Sequence, residues 1–326
     1  MSTETPRIVY MGTPDFAVAP LKLLLERNYR IEGVITASDR PAGRGKRVTM
    51  PSVKQFIQHH SPSIPVLQPP KLKDPGFLQE LEQLQPDLQV VVAFRMLPEA
   101  VWALPRLGTF NLHASLLPQY RGAAPIHHAV MNGEKETGVT TFLIDEKIDT
   151  GNILLQERTP IGEFETTGEL HDRLMEMGAE LVARTVDGLS LGELQPRPQH
   201  EFMEPGTDLK TAPKISREDC RIDWKRQGED VFNMIRGLSP FPGAFSYLQR
   251  TQEESLLCKI FDSRFIPGKP RGIPGTLFTD NRRSLEVAVS DGHMEILRIQ
   301  QEGKRRMNTA DFLAGFSLIS GTSRFS

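Results

Sequence analysis

Between residues 8 and 189, short runs rich in β-branched and apolar side chains alternate with stretches of helical periodicity, and few architectures accept that order. Ile8-Val9-Tyr10-Met11-Gly12 reads as a buried strand; Thr13 suits a cap and Pro14 the first position of a helix over 15–26. Further strands are expected at 31–36, 64–67, 88–94, 109–113 and 139–144, and helices at 52–58, 77–84, 125–131 and 167–189. Parallel strands need crossovers, and helices supply them. The fold class predicted is therefore α/β: a Rossmann-like, doubly wound, mostly parallel sheet.

The texture changes near residue 192. Leu194-Gln195-Pro196-Arg197-Pro198-Gln199 and Glu204-Pro205-Gly206 are linker-like, because proline fixes φ and forbids regular pairing. After a helix expected over 230–236, short alternating segments near 244–248, 256–261, 275–278, 285–289 and 294–299 suggest a small C-terminal β-barrel of the OB-like kind. The expected division is thus a first domain at 1–192, a linker at 193–209 and a barrel domain at 210–326. Charge divides along the same line. Residues 1–209 hold 20 basic and 27 acidic side chains, whereas 210–326 hold 19 and 14, so the second part carries the positive excess that a polyanion partner would use. A solvated basic face explains the same numbers.

Candidate chemistry sits at strand ends. Within 109–113, Asn111 and His113 project from one face, at the carboxyl edge where open α/β sheets bind ligands. The polar loop Asp145-Glu146-Lys147-Ile148-Asp149-Thr150-Gly151 follows the strand at 139–144 and can reach the same edge. An amide, an imidazole and a carboxylate suit acyl transfer: Asn111 and His113 would stabilise an oxyanion, with Asp149 orienting His113. The alternative is a polar strand end in which Asn111 caps a turn and Asp149 is a turn residue. The loop Asp39-Arg40-Pro41-Ala42-Gly43-Arg44-Gly45-Lys46-Arg47 carries four cations and two glycines, fit to follow an RNA backbone or to be plain solvated surface. It is not a P-loop, and no G-x-G-x-x-G follows the first strand.

Asn111-x-His113-x-Ser115-Leu116-Leu117-Pro118-x-Tyr120-Arg121-Gly122-Ala123-Ala124-Pro125, Gly138-Val139-Thr140 and Asp149-Thr150-Gly151 together resemble the tetrahydrofolate-dependent formyltransferases. Gly12-Thr13-Pro14-Asp15-Phe16-Ala17, the Arg40 to Lys46 loop, Ile222-Asp223-Trp224 and Ile235 to Ala244 extend the resemblance over essentially the whole chain, toward members that act on methionyl-tRNA. It implies transfer of the formyl group of 10-formyltetrahydrofolate to the amino group of initiator methionyl-tRNA, by a monomer. Asn111, His113 and Asp149 would then be catalytic. Ser115, Leu116, Leu117 and Pro118 would belong to the folate site, with Phe94 and Met96 on its other wall. Counted from Ala93, the segment Phe94-Arg95-Met96-Leu97-Pro98 is one residue shorter than the family's commoner Ala-Tyr-Gly-Leu-Ile-Leu-Pro form, and a buried strand end accounts for Phe94 and Met96 equally well. Arg40, Arg44, Lys46 and Arg47 would contact the acceptor stem, with Lys210 and Lys214 as further tRNA contacts.

Other classes fit less of the sequence. No apolar run approaches the roughly 18 residues of a spanning helix, and the start lacks a basic region followed by a long apolar stretch, so a cytoplasmic protein without membrane contact is expected. Cys220 and Cys258, without C-x-x-C or H-E-x-x-H, make no case for a disulfide framework or a metal and read as core residues. Three rivals remain: a formyltransferase for glycinamide ribonucleotide or a nucleotide-linked amino sugar, a nucleotide-binding redox protein, and a noncatalytic tRNA-binding module.

Overall fold

A computed structural model describes residues 5–42, 47–203, 206–249 and 255–326. The chain divides into two compact units, one formed by 1–125, 137–159 and 171–211, the other by 126–136, 160–170 and 212–326.

The first unit is built on a seven-stranded sheet. Its strands are β1 (Ile8–Gly12), β2 (Ile31–Ile35), β3 (Val66–Leu67), β4 (Leu88–Val92), β5 (Thr109–His113), β6 (Glu136–Leu143) and β7 (Ile153–Pro160), in the order β7-β6-β5-β4-β1-β2-β3. Pairs β1/β2, β1/β4, β2/β3 and β4/β5 are parallel, and β5/β6 is antiparallel. Every residue of β1 and β4 is buried, as strands covered on both faces must be. On one face Val9, Met11, Ile35 and Val91 pack with Phe77 and Leu81 of the helix Pro75–Gln83. On the other, Leu112 meets Gly178 of the long helix Thr167–Leu191, where an added Cβ would stand 2.7 Å from Leu112 Cδ2. The doubly wound sheet is as expected.

Two differences have local causes. The helix after β1 starts as a 3₁₀ turn, Asp15–Ala17, before Val18–Glu26, with Pro14 rather than Thr13 at the cap position. Strand β7 had no counterpart among the expected strands. Its sequence, ILLQERTP, alternates poorly, because an edge strand keeps one side in water.

The second unit holds an antiparallel sheet of Ala244–Gln249, Ser255–Pro267, Leu277–Thr279, Leu285–Val289, Gly292–Gln301, Met307–Asn308 and Arg324–Phe325. A bridge between Thr276 and Arg324, with a 2.9 Å Phe325 N–H to Gly275 O bond, ties the edge strand Leu277–Thr279 to the edge strand Arg324–Phe325 and nearly closes a barrel. Alternate inward residues Cys258, Ile260, Val287, Val289, Met294 and Ile296 form its core, and Trp224 stacks on Phe325 at 5.8 Å. Both cysteines are buried there as free thiols. Among the described residues no helix is long and apolar enough to cross a membrane.

Candidate active site

Strand β5 delivers Asn111 and His113 to the carboxyl edge. Their register partners on antiparallel β6 are Phe142 and Thr140, so the two side chains share a face flanked by an aromatic ring and a buried hydroxyl. His113 is buried, at 6% exposure, and its Nε2–H donates to the Tyr120 carbonyl over 2.9 Å. The ring stands edge-on to Phe142, with centroids 6.5 Å apart. Asn111 is half-buried, and among the described residues its amide has no hydrogen-bond partner. A turn-capping role for Asn111 is therefore not what the structure contains.

Asp149 reaches the same place from the loop after β6. Its carboxylate Oδ2 accepts from the Gly122 N–H at 2.9 Å and lies 3.9 Å from His113 Nδ1. The loop bends sharply: Asp149 has φ of 54°, and at Gly151 an added Cβ would overlap the carbonyl oxygen of Leu143. A residue that sequence reading assigned to a linker secures it. Gln199, buried to 5% exposure, donates its amide to the carbonyls of both Asp149 and Gly151 at 2.9 Å, and its Oε1 accepts from Arg121 Nη2 at 2.7 Å. Nothing local in the proline-containing stretch around Gln199 signals this contact, because it spans 50 residues.

The loop after β5 is held from beneath. Thr140 Oγ1 donates to the Ser115 carbonyl at 2.6 Å and accepts from the Leu117 N–H, while Gln156 Nε2 donates to the Leu117 carbonyl and to Thr140 Oγ1. Ser115 Oγ is spent on the Gln119 carbonyl, and Leu117 is buried with Phe142 and Ile153. Leu116 is half-buried and Pro118 buried. Ser115 and Leu117 thus shape the loop through the backbone rather than offering side chains to a ligand. Across the edge, Phe94 is half-buried against the β1/β4 core, whereas Met96 is 69% exposed and does not end a buried strand.

A cleft of about 380 Å³ opens at the carboxyl ends of β1, β2 and β4, lined by Thr13, Ala37, Ser38, Arg40, Thr49, Met50, Pro51, Phe94 and Arg95. Its position is the point where the chain turns from β1 toward β2 on one side while β4 flanks β1 on the other, the usual ligand crevice of such sheets. Arg40 is exposed at its lip. Arg44 and Lys46 lie outside the described residues, and Arg47 begins the short strand Arg47–Thr49 that pairs with Arg40–Ala42. Lys210 and Lys214 are exposed, and the backbone of Lys210 brackets the site loop, its carbonyl accepting from the Tyr120 N–H at 2.7 Å. Among the described residues no group of three or more His, Cys, Asp or Glu side chains could hold a metal ion.

Residues 6–186 match the Formyl transferase family, and residues 214–317 match the Formyl transferase, C-terminal domain family. The methionyl-tRNA formyltransferase of Bacteroides fragilis is 50% identical over 318 residues, covering 98% of this chain and 97% of its own. That of Porphyromonas gingivalis strain W83 is 47% identical over 323 residues, with 98% of each chain covered. Among solved structures, WlaRD, a sugar 3N-formyl transferase crystallised with dTDP and 5-N-formyl-THF, superposes with a TM-score of 0.62 at 20% identity over 93% of this chain and all of its own. HypX from Aquifex aeolicus, in complex with tetrahydrofolic acid, gives 0.60 at 19% identity over 95% of this chain and 47% of its own.

Proposed function

The chain belongs to the formyl transferase family, and from that premise we propose that it moves the formyl group of 10-formyltetrahydrofolate onto the α-amino group of initiator methionyl-tRNA. The observation that carries the reading is the convergence of Asn111, His113 and Asp149 on one sheet edge. Near full-length identity to methionyl-tRNA formyltransferases supports the acceptor, whereas the sugar formyltransferases match at about 20%.

The amine attacks the formyl carbon of the folate co-substrate directly, with no covalent enzyme intermediate; the bond from that carbon to N10 then breaks, and tetrahydrofolate leaves carrying one proton at N10 for the one the amine gives up. As the carbon becomes tetrahedral, charge grows on its oxygen; the free Asn111 amide and the imidazole of His113 are the donors that receive it. The Tyr120 carbonyl fixes the ring through Nε2, leaving Nδ1 as the atom that faces Asp149. Asp149 Oδ2, 3.9 Å from that atom, keeps the ring oriented as the oxyanion develops. The residues fit a flat, largely apolar heterocycle: an apolar loop at 115–118 with its backbone fixed, an aromatic ring at Phe94, and one unpaired amide. Thr140 and Gln156 hold that loop and are positioning residues.

For the acceptor, Arg40, Arg44, Lys46 and Arg47 would follow the acceptor stem, with Lys210 and Lys214 adding phosphate contacts and the barrel unit its positive excess. The substrate belongs to translation, so the reaction runs in the cytoplasm, and the enzyme acts as a monomer. Incubation with 10-formyltetrahydrofolate labelled in the formyl group and methionyl-tRNA should yield N-formylmethionyl-tRNA, while glycinamide ribonucleotide and amino-sugar nucleotides stay unlabelled. Label on a small amine, or none at all, would overturn the reading.

A further inference from the structure

Residues 119–122 stand between two sets of partners. On one side they hold the groups of the candidate site: the Tyr120 carbonyl accepts from His113 Nε2–H at 2.9 Å, and the Gly122 N–H donates to Asp149 Oδ2 at 2.9 Å. On the other they meet the stretch whose prolines read as a linker. The Tyr120 N–H donates to the Lys210 carbonyl at 2.7 Å. Gln119 Nε2 donates to the Asp208 carbonyl at 3.1 Å, and its Oε1 accepts from the Lys210 N–H at 2.8 Å. Arg121 turns its Nε and Nη2 toward Gln199 Oε1, at 3.1 and 2.7 Å. Asp208 and Lys210 are exposed, where water would serve the same backbone groups and a hydrogen bond adds little to stability. Yet these contacts, reaching back 78 to 91 residues, land on three consecutive positions, 119–121.

We infer that Gln119, by gripping the backbone at 208–210, is a positioning residue for formyl transfer: it fixes the peptide that aims the imidazole of His113. The inference rests on the proposed function. Lys210 is bound through both of its backbone groups, the N–H to the Gln119 side chain and the carbonyl to the Tyr120 N–H. The peptide joining residues 119 and 120 is in turn held at both ends, its carbonyl accepting from Ser115 Oγ at 2.6 Å and its N–H donating to Lys210. That restraint has a purpose at Tyr120, whose φ of 61° is a sparsely populated conformation for a bulky residue and persists only where its surroundings impose it. With Gln119 removed, Lys210 is held by one bond instead of two, the 119–120 peptide loosens, and Tyr120 is free to leave that conformation. Its carbonyl then turns, and the ring that donates to it loses its aim. Asn111, on the same strand as His113 but with no bond to this frame among the described residues, would keep its place.

The full-length protein and its Gln119→Met and Gln119→Glu variants test this by steady-state kinetics with 10-formyltetrahydrofolate and methionyl-tRNA, each varied with the other saturating. Gln119→Met keeps the length of the side chain and removes both hydrogen bonds. It should lower kcat about tenfold and leave both KM values within about twofold of wild type, because a misaimed group costs rate rather than binding. Gln119→Glu keeps the acceptor for the Lys210 N–H and should give a rate between the two; should Gln119→Met fail to fold, it carries the test with the same direction. A double-mutant cycle separates aiming from anchoring: in a His113→Asn background, Gln119→Met should slow single-turnover transfer no further, since the ring it aims is gone. An unchanged kcat beside a lowered melting temperature would make the contact a plain anchor and overturn the inference. So would a rise in the methionyl-tRNA KM with kcat intact, or an equal loss in the His113→Asn background. Wild-type protein that formylates methionyl-tRNA beside unaffected variants sinks this inference alone; wild-type protein that does not formylate it sinks the proposed function as well.

Discussion

Oδ2 of Asp149 lies 3.9 Å from Nδ1 of His113 while accepting a 2.9 Å hydrogen bond from the Gly122 N–H. At that separation the imidazole feels the acid as a charge rather than as a hydrogen-bond acceptor. Backbone groups anchor both partners: Gly122 for the carboxylate and the Tyr120 carbonyl for the ring. Asp149→Asn keeps an oxygen for Gly122 and removes the charge. We expect kcat to fall by roughly 10²- to 10³-fold with the melting temperature nearly unchanged, measured by single-turnover formyl transfer and a thermal melt.

Gln199 ties the Asp149 loop through two carbonyls at 2.9 Å and touches no reacting atom in the proposed mechanism. Gln199→Leu, close in volume, leaves both carbonyls unpaired and frees the loop. The expected result is a drop of about tenfold in kcat, with both KM values little changed and a stability loss on the order of 1–3 kcal/mol in urea. A purely structural role would give the stability loss with kcat intact.

The contrast between Asp149 and Gln199 also shows what a sequence discloses. Strands β1 and β5 have the bounds expected of them because their apolar runs stop at Gly12-Thr13-Pro14 and at a polar strand end. Asn111 and His113 could be paired by strand alternation, a local rule. Gln199 could not, because an amide folding back 50 residues leaves no periodic trace, and the stretch carrying it reads as linker. The long strand Ser255–Pro267 was read as 256–261 because its register shifts between Ile260 and Asp262 and again before Ser263, breaking the alternation that marks a strand. The cleft at Arg95 likewise depends on strand order, which short-range pattern does not encode.

A Cβ at position 151 would collide with the Leu143 carbonyl, a backbone atom that cannot swing aside. Gly151→Ala must therefore displace the loop that carries Asp149. We expect a loss of roughly 10²-fold in kcat/KM together with a destabilisation of about 1–3 kcal/mol. Kinetics and denaturation on one preparation would check both.

Asp87 accepts from Arg7 Nε at 3.0 Å and Arg106 Nε at 2.9 Å, and the Arg7 contacts above all hold its carboxyl well below the usual carboxylate range. A depressed folded-state pKa contributes stability above the unfolded pKa of about 3.9, and that stability is lost as pH falls through the folded value. Stability should therefore decline as pH drops below about 4, by on the order of 2 kcal/mol from this site, and Asp87→Asn should flatten that part of the profile in urea titrations.

Burial pushes the Cys258 thiol up to about 12, and burial also raises that of Cys220. Thiolate is the reactive form, so neither cysteine should be alkylated by iodoacetamide at pH 8 in the native protein. Both should react once guanidinium unfolds the chain, as mass spectrometry would record. Rapid native labelling at Cys258 would contradict the buried barrel core.

His113, placed by β5 and faced by Asp149, is expected to stabilise charge on the transferring formyl group. The most direct measurement is the single-turnover rate of formyl transfer to methionyl-tRNA, both substrates saturating, for wild type and His113→Asn. We expect the rate to fall by roughly 10²- to 10⁴-fold while tRNA affinity and melting behaviour are retained. Transfer by the folded variant at a rate near wild type would contradict the account.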